Sequence, residues 1–328
     1  MFKTFFTFEL KSLLRAPLPW IFCFVLGLLA FGATAADSVQ IGGSYGNIWK
    51  NAPFVVQNFY AIMSLFSLLL VTAFMNTASL RDFDNNTSQI IFASPVQKSG
   101  YFFGHFFGAV LVAMIPLLGV SLGVWAGTLA NSVFHWIEPE RFGPLSVKGH
   151  FEAILIFVLP NILFAGSIVF AISALTRKTI YSYVATLGLL VAYIASGTLL
   201  RDIKNENISM MLDPFGIRTF SILTKYWTVE ERNTQALGLS GMMLWNRLLW
   251  IAVGLGVLIL SYFKFSFSEK AEKINKGLAK KEEDKTFVFS QLSDYPRIAP
   301  DSGMATQWRQ FWTQFKERSV EVQRVFPP

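Results

Sequence analysis

"SGYFFGHFFGAVLVAMIPLLGVSLGVWAGTLANSVFHWI", residues 99–137, contains no Asp, Glu, Lys or Arg. A bilayer's hydrocarbon core is about 30 Å thick and takes about 20 helical residues, with every backbone N–H and C=O satisfied inside the helix. This stretch is long enough to cross with residues to spare, by tilting or by projecting beyond the lipid. Pro116 lies inside it, where a proline frees a carbonyl and can bend the helix.

The same test, applied outward, finds equally charge-free runs at 16–36, 51–80, 153–176, 179–200 and 248–263. They predict six spans, near Leu18–Ala36, Pro53–Leu80, Tyr101–Leu129, Phe151–Leu175, Tyr181–Leu199 and Met243–Phe263. The expected fold class is an all-α integral membrane protein. Composition agrees: 53% of residues are hydrophobic and 15% charged, against about 25% charged in soluble domains.

Orientation follows from Lys and Arg close to the span ends. With the N-terminus inside, the short inner segments hold Lys3, Lys11, Arg15, Arg81, Lys98, Arg177 and Lys178, while the outer basic residues are spread over longer loops. Twelve of the 28 Lys and Arg residues follow Phe263. Both termini are therefore expected in the cytoplasm, with the chain crossing the membrane several times.

The basic start, the apolar run and Ala33-Thr34-Ala35 before Ala36-Asp37 resemble a cleavable signal. The stretch before the run is patterned, however: Phe2, Phe5, Phe6, Leu10, Leu13 and Leu14 recur at spacings of three and four beside Lys3, Lys11 and Arg15. That stripe suits an interfacial helix over residues 1–16, ended by Pro17 and Pro19. A plain continuation into the first span is the alternative.

Several chemistries lack their residues. Cys23 is the only cysteine, and His105, His135 and His150 have no metal-ligand spacing. The Asn-Asn-Thr-Ser run at 85–88 matches a glycosylation acceptor only formally, because it falls on an expected cytoplasmic loop. A carboxylate at the bilayer centre costs about 2.5–3.5 kcal/mol or more and marks proton or ion pathways. None is expected here, nor any span charge to recognise a substrate, although sodium coupling through backbone carbonyls stays open. The chain has no G-x-x-x-x-G-K-[ST] loop. No catalytic residue, metal or cofactor is expected in it, and ATP-driven work would draw on another subunit.

One short cytoplasmic segment is patterned beyond a connector's needs. Arg81-Asp82-Phe83-Asp84 leaves the second span, Asn85–Ser88 offers a turn or cap, and Gln89–Ala93 suits a short apolar-faced helix. Ser94-Pro95 stops it, and Val96–Gly100 leads into the third span with Tyr101, Phe102 and Phe103 at the interface. Force on such a helix reaches two spans at once. An ordinary interfacial connector is the alternative.

The residues Arg81, Asp82, Asp84, Thr87, Ile90, Ile91, Phe92, Ser94, Pro95, Val96, Lys98, Tyr101 and Gly104 together resemble the cytoplasmic loop of type-2 ATP-binding-cassette (ABC) permeases. The resemblance implies a coupling helix that docks on a separate cassette ATPase, which would carry the ATP and Mg. Departures are Asp84 and Asn86 where Glu and Gly are commoner, and His105 where Lys often stands. The likeness runs to about Phe267. It implies that the stretch 200–243, with Asp213-Pro214-Phe215-Gly216 and with Tyr226 and Trp227, closes an outward gate. A folded outer loop without a gating role is the other reading.

A narrower likeness, at Asp213–Gly216, Lys225–Thr228, Glu231–Thr234 and Asn246–Trp250, is to the membrane module of bacterial permease/zinc-aminopeptidase fusion proteins. The peptidase's zinc-binding histidines are missing. After a charged linker over 268–304, Trp308, Phe311, Trp312, Phe315, Ser319 and Val322 form a helical stripe within 305–328. It either opens a second, missing module or rests on the inner leaflet.

The expected function is that of a permease subunit, by resemblance an exporter. It would pair with a second permease module in the bilayer, with no role for nucleic acid. The alternatives are a non-transporting membrane scaffold that recruits a peripheral protein through its basic tail, and a sodium-driven carrier.

Overall fold

Among the described residues of the computed structural model, six helices are long and apolar enough to cross a membrane, the mark of a multi-pass membrane protein. The structure describes residues 1–43, 45–85, 87–199, 205–267 and 312–313. Among them 78% are helical and none is in a strand. The linker at 268–304 lies outside the described residues, as does the amphipathic stripe at 305–328 apart from the helical pair Trp312–Thr313.

The spans are α2 (Leu18–Ala35), α3 (Pro53–Asp84), α5 (Lys98–Phe134), α6 with α7 (Val147–Ala153 and Leu159–Thr176), α8 (Thr179–Leu199) and α12 (Gly241–Lys264). Each begins or ends within a few residues of the expected limit, except that α3 and α5 run on to Asp84 and Phe134. The α5 helix continues unbroken through Pro116. Pro160 is accommodated differently: it falls in the first turn of α7, directly after a π-helical turn, Ile154–Val158, that joins α6 to α7. A wider turn there removes the need for the amide that proline lacks.

Helix α1 (Phe2–Arg15) and helix α2 both pack on α5. Glycines set the distance. A Cβ on Gly104 or Gly108 would lie 2.7 Å from the Cβ of Phe5 or Glu9, and one on Gly119 or Gly123 would lie 2.1 or 2.0 Å from the carbonyl oxygen of Cys23 or Gly27. Where lipid competes on equal terms for apolar side chains, such close backbone approach is what holds helices together. Gly123→Ala is therefore expected to cost about 1–3 kcal/mol, the usual penalty of overpacking, read as an earlier midpoint in detergent-titrated unfolding. An unchanged midpoint would mean that α2 slides without loss.

Two ends of the bundle are distinguishable. One carries α1, the short helix α4 (Ser88–Ala93) and the C-termini of α3, α7 and α12; the other carries the long connections. At that second end Lys50 is buried, and its ammonium donates to Ala36 O at 2.8 Å and pairs with Asp37 at 2.9 Å. A cation is well placed at a helix C-terminus, and the Lys50 ammonium holds the Asp37 carboxyl below its usual range. Gln57 exchanges hydrogen bonds with Leu237 at 2.8 and 2.9 Å, and Asn233 accepts from Trp49 N at 2.8 Å. These bonds tie the stretch before α12 to the start of α3.

Candidate functional site: the α4 loop and the buried plug

The loop between α3 and α5 divides into two faces. Asp84, Gln89, Ile90, Ala93, Ser94 and Pro95 are exposed, Ile90 by 74%. Helix α4 begins at Ser88, one residue before the expected start, and Ser94 leaves it in extended geometry ahead of Pro95. Ile91, Phe92 and Val96 are half-buried against the core. The Phe92 ring lies 4.6 Å from that of Phe267, 5.6 Å from Tyr101 and 5.7 Å from Phe83. Thr87 donates through its backbone to Asp82 O at 2.9 Å, and the Lys98 ammonium sits 4.6 Å from the Tyr262 ring centre.

Arg81, Asp82, Tyr101 and Gly104 turn inward. Tyr101 Oη donates to Asp82 Oδ2 at 2.8 Å, and Arg81 forms a fork onto Glu9 with N···O distances of 2.7 and 3.1 Å. His105 lies between the two carboxylates: its Nδ1 is 2.6 Å from Glu9 Oε2 and its Nε2 is 3.9 Å from Asp82 Oδ2. Glu9 is wholly buried, with 0% exposure. Gly104, expected to close the loop motif, makes room for Phe5 of α1.

This cluster corrects the expectation that carboxylates stay out of the bundle. No span supplies Glu9; α1 delivers it to the face of α5, where Gly108 leaves space for its Cβ. Sequence reasoning missed Glu9 and its pairing with Arg81 and His105. The available signal was that Glu9 is the only acidic residue in α1. A buried charge needs a partner, and Arg81 supplies one.

The residues expected to gate the outer side also separate. Tyr226 is 81% exposed, while Trp227 is half-buried with its ring 6.4 Å from Phe54. Asp213-Pro214-Phe215-Gly216 instead plugs the bundle between α9 (Glu206–Met211) and α10 (Ile217–Leu223). The buried Asp213 carboxylate accepts from Phe215 N at 3.2 Å and from Thr219 N at 2.9 Å, which folds the turn. The Phe215 ring is 4.9 Å from Tyr193 and 6.1 Å from Phe164.

The floor of the plug is Arg247, 1% exposed. Its guanidinium donates to Asn161 Oδ1 at 3.0 Å, to Asp213 O at 3.3 Å, to Pro214 O at 3.4 Å and to Asn246 Oδ1. Asn246 Nδ2 donates to Met210 O at 2.6 Å and Asp213 O at 2.9 Å, and Asn161 Nδ2 to Ser64 Oγ at 2.9 Å. Gly216 has φ +76°, and a Cβ there would lie 2.6 Å from Arg247 Nη2. Only glycine meets both demands.

Arg247 corrects a second expectation, that no span carries a charge. It lies inside the stretch assigned to the last span, five residues before Ala252, and the charge-free run beginning at 248 drew attention away from it. An intramembrane Arg is costly and points to a site. Its partner Asn161 on α7 was also missed, because nothing local relates residues 86 apart in sequence.

No protein-family model matches the chain, and no curated protein matches it.

Proposed function

We propose that the chain is the membrane module of a transporter driven by a separate ATPase, the type-2 ABC permease reading of its α4 loop. The observation that supports it is the two-faced loop: an exposed docking edge at Ile90, Ser94 and Pro95 continuous with a buried ionic cluster that ties α1, α3 and α5 together. A push on α4 enters through Phe92 against Tyr101 and passes to Asp82, His105 and Glu9. Both termini and α4 lie on the cytoplasmic side of the inner membrane, following the Lys and Arg distribution.

In this mechanism two permease modules form the pathway, and the partner subunits hold ATP and Mg. Nucleotide shifts the permease only because it binds the two states with different affinity. The Asp213–Gly216 plug, hydrogen-bonded across α3, α7 and α12, is the element that switches at the outer end, and export is the direction that the resemblance implies.

The test is a gentle-detergent pull-down assayed for ATP hydrolysis. Wild type is expected to bring down a nucleotide-hydrolysing subunit, and Ile90→Asp to lose at least about tenfold of it, equivalent to about 1.4 kcal/mol of docking energy. Ile90 is the better probe than Phe92, whose ring is packed within the protein. A monodisperse wild type with no associated ATPase activity would overturn the proposal.

A further inference from the structure

Between α3, α7 and α8 runs a seam of uncharged polar side chains that neither the α4 loop nor the plug uses. Thr72 Oγ1 meets Thr186 Oγ1 at 2.5 Å, and Ser79 Oγ meets Ser173 Oγ at 2.5 Å. Asn76 lies on the same face of α3 about one turn from each of these pairs. On α8, which runs antiparallel to α3, Ser182 stands one turn from Thr186 and so level with Asn76.

The pairs at either end are satisfied, and the middle is not. Neither amide atom of Asn76 nor Ser182 Oγ has a hydrogen-bond partner among the described residues, although these side chains are 5% and 0% exposed. Buried polar atoms are ordinarily paired, and several bare ones together need an explanation. The third wall is also the most exposed of the spans: Ile180, Tyr181, Val184, Leu187, Val191 and Ile194 of α8 are all exposed.

We infer that this seam is a binding site for an uncharged hydrogen-bonding group, a hydroxyl or a carboxamide, carried by the molecule that the permease moves. Asn76 presents two donors and an acceptor, and the serine hydroxyls can serve as either, so the complementary group must both give and accept a hydrogen bond. A carboxylate or ammonium would require a buried counter-charge. None of Thr72, Asn76, Ser79, Ser173, Ser182 and Thr186 can supply one. That this molecule is transported rests on the permease reading; the binding site does not.

The experiment uses the full chain in lipid nanodiscs, with Cys23→Ser and Ser182→Cys. Modification rates are measured with hydroxyethyl, propyl and trimethylammonioethyl methanethiosulfonate, each normalised to its rate with a free thiol. The hydroxyethyl reagent is expected to react at least about tenfold faster than its isosteric propyl counterpart, the effect of one hydrogen bond, and faster still than the cation. Asn76→Leu should abolish the preference over propyl, and Asn76→Ala serves if the leucine variant does not yield folded protein. No reaction with any reagent, no preference, or a preference indifferent to the change at Asn76 would each overturn the site. No ATPase enters this assay, so a preserved preference in a chain that binds no ATPase would reject the permease reading and leave the site standing.

Discussion

Arg247→Met is expected to destabilise the protein by about 3–5 kcal/mol, the cost of removing one partner from a buried charged cluster. The loss is not that of a single bond. Asn161 Oδ1, Asn246 Oδ1 and the carbonyls of Asp213 and Pro214 all accept from this guanidinium, and methionine leaves them bare while the Asp213 carboxylate loses its nearby positive charge. Lysine is expected to recover little, since an ammonium cannot span acceptors on α7, α12 and the plug as a planar fork does. Adding Asp213→Asn to Arg247→Met should return part of the loss, because the two sites share partners. Denaturing-detergent titration of wild type and the three variants measures all of this, and a loss under about 1 kcal/mol for Arg247→Met would show that the plug does not depend on it.

Glu9→Gln is the second large effect, again about 3–5 kcal/mol. The carboxylate is 0% exposed and accepts from two Arg81 nitrogens while touching His105, so the amide would leave Arg81 without its counter-charge. The consequence should reach beyond α1. Amide hydrogen exchange in Ser88–Ala93 is expected to rise, because Arg81 and Asp82 stand at the end of α3 from which α4 hangs. Exchange confined to α1 would mean that the cluster anchors that helix and transmits nothing to the loop.

The spans were legible because lipid imposes a one-dimensional rule: a run without charge, about twenty residues long, must be a helix. The short α4 helix was legible for a similarly local reason, a capping stretch before it and Ser94-Pro95 after it. The partnerships were not. Glu9 meets Arg81 across 72 residues and His105 across 96, and each is individually an ordinary polar residue beside an apolar run. The Asp213–Gly216 turn could be quoted from the sequence, but its burial over Arg247 depends on Asn161 and Asn246 facing inward from separate spans. The bare Asn76 amide was invisible for the same reason, since only the packing of α3 against α7 and α8 shows what fails to reach it.

Helix α8 has a further consequence. Its large apolar side chains Ile180, Tyr181, Val184, Leu187, Val191 and Ile194 are exposed on the single chain, so whatever amphiphile meets them in a given preparation is a structural partner whose identity changes with that preparation. Short-chain detergent, long-chain detergent and a bilayer are three different neighbours for the same helix. A melting temperature recorded in one of them describes the chain and its solvent jointly, and variants of this protein are comparable only within a single lipid environment.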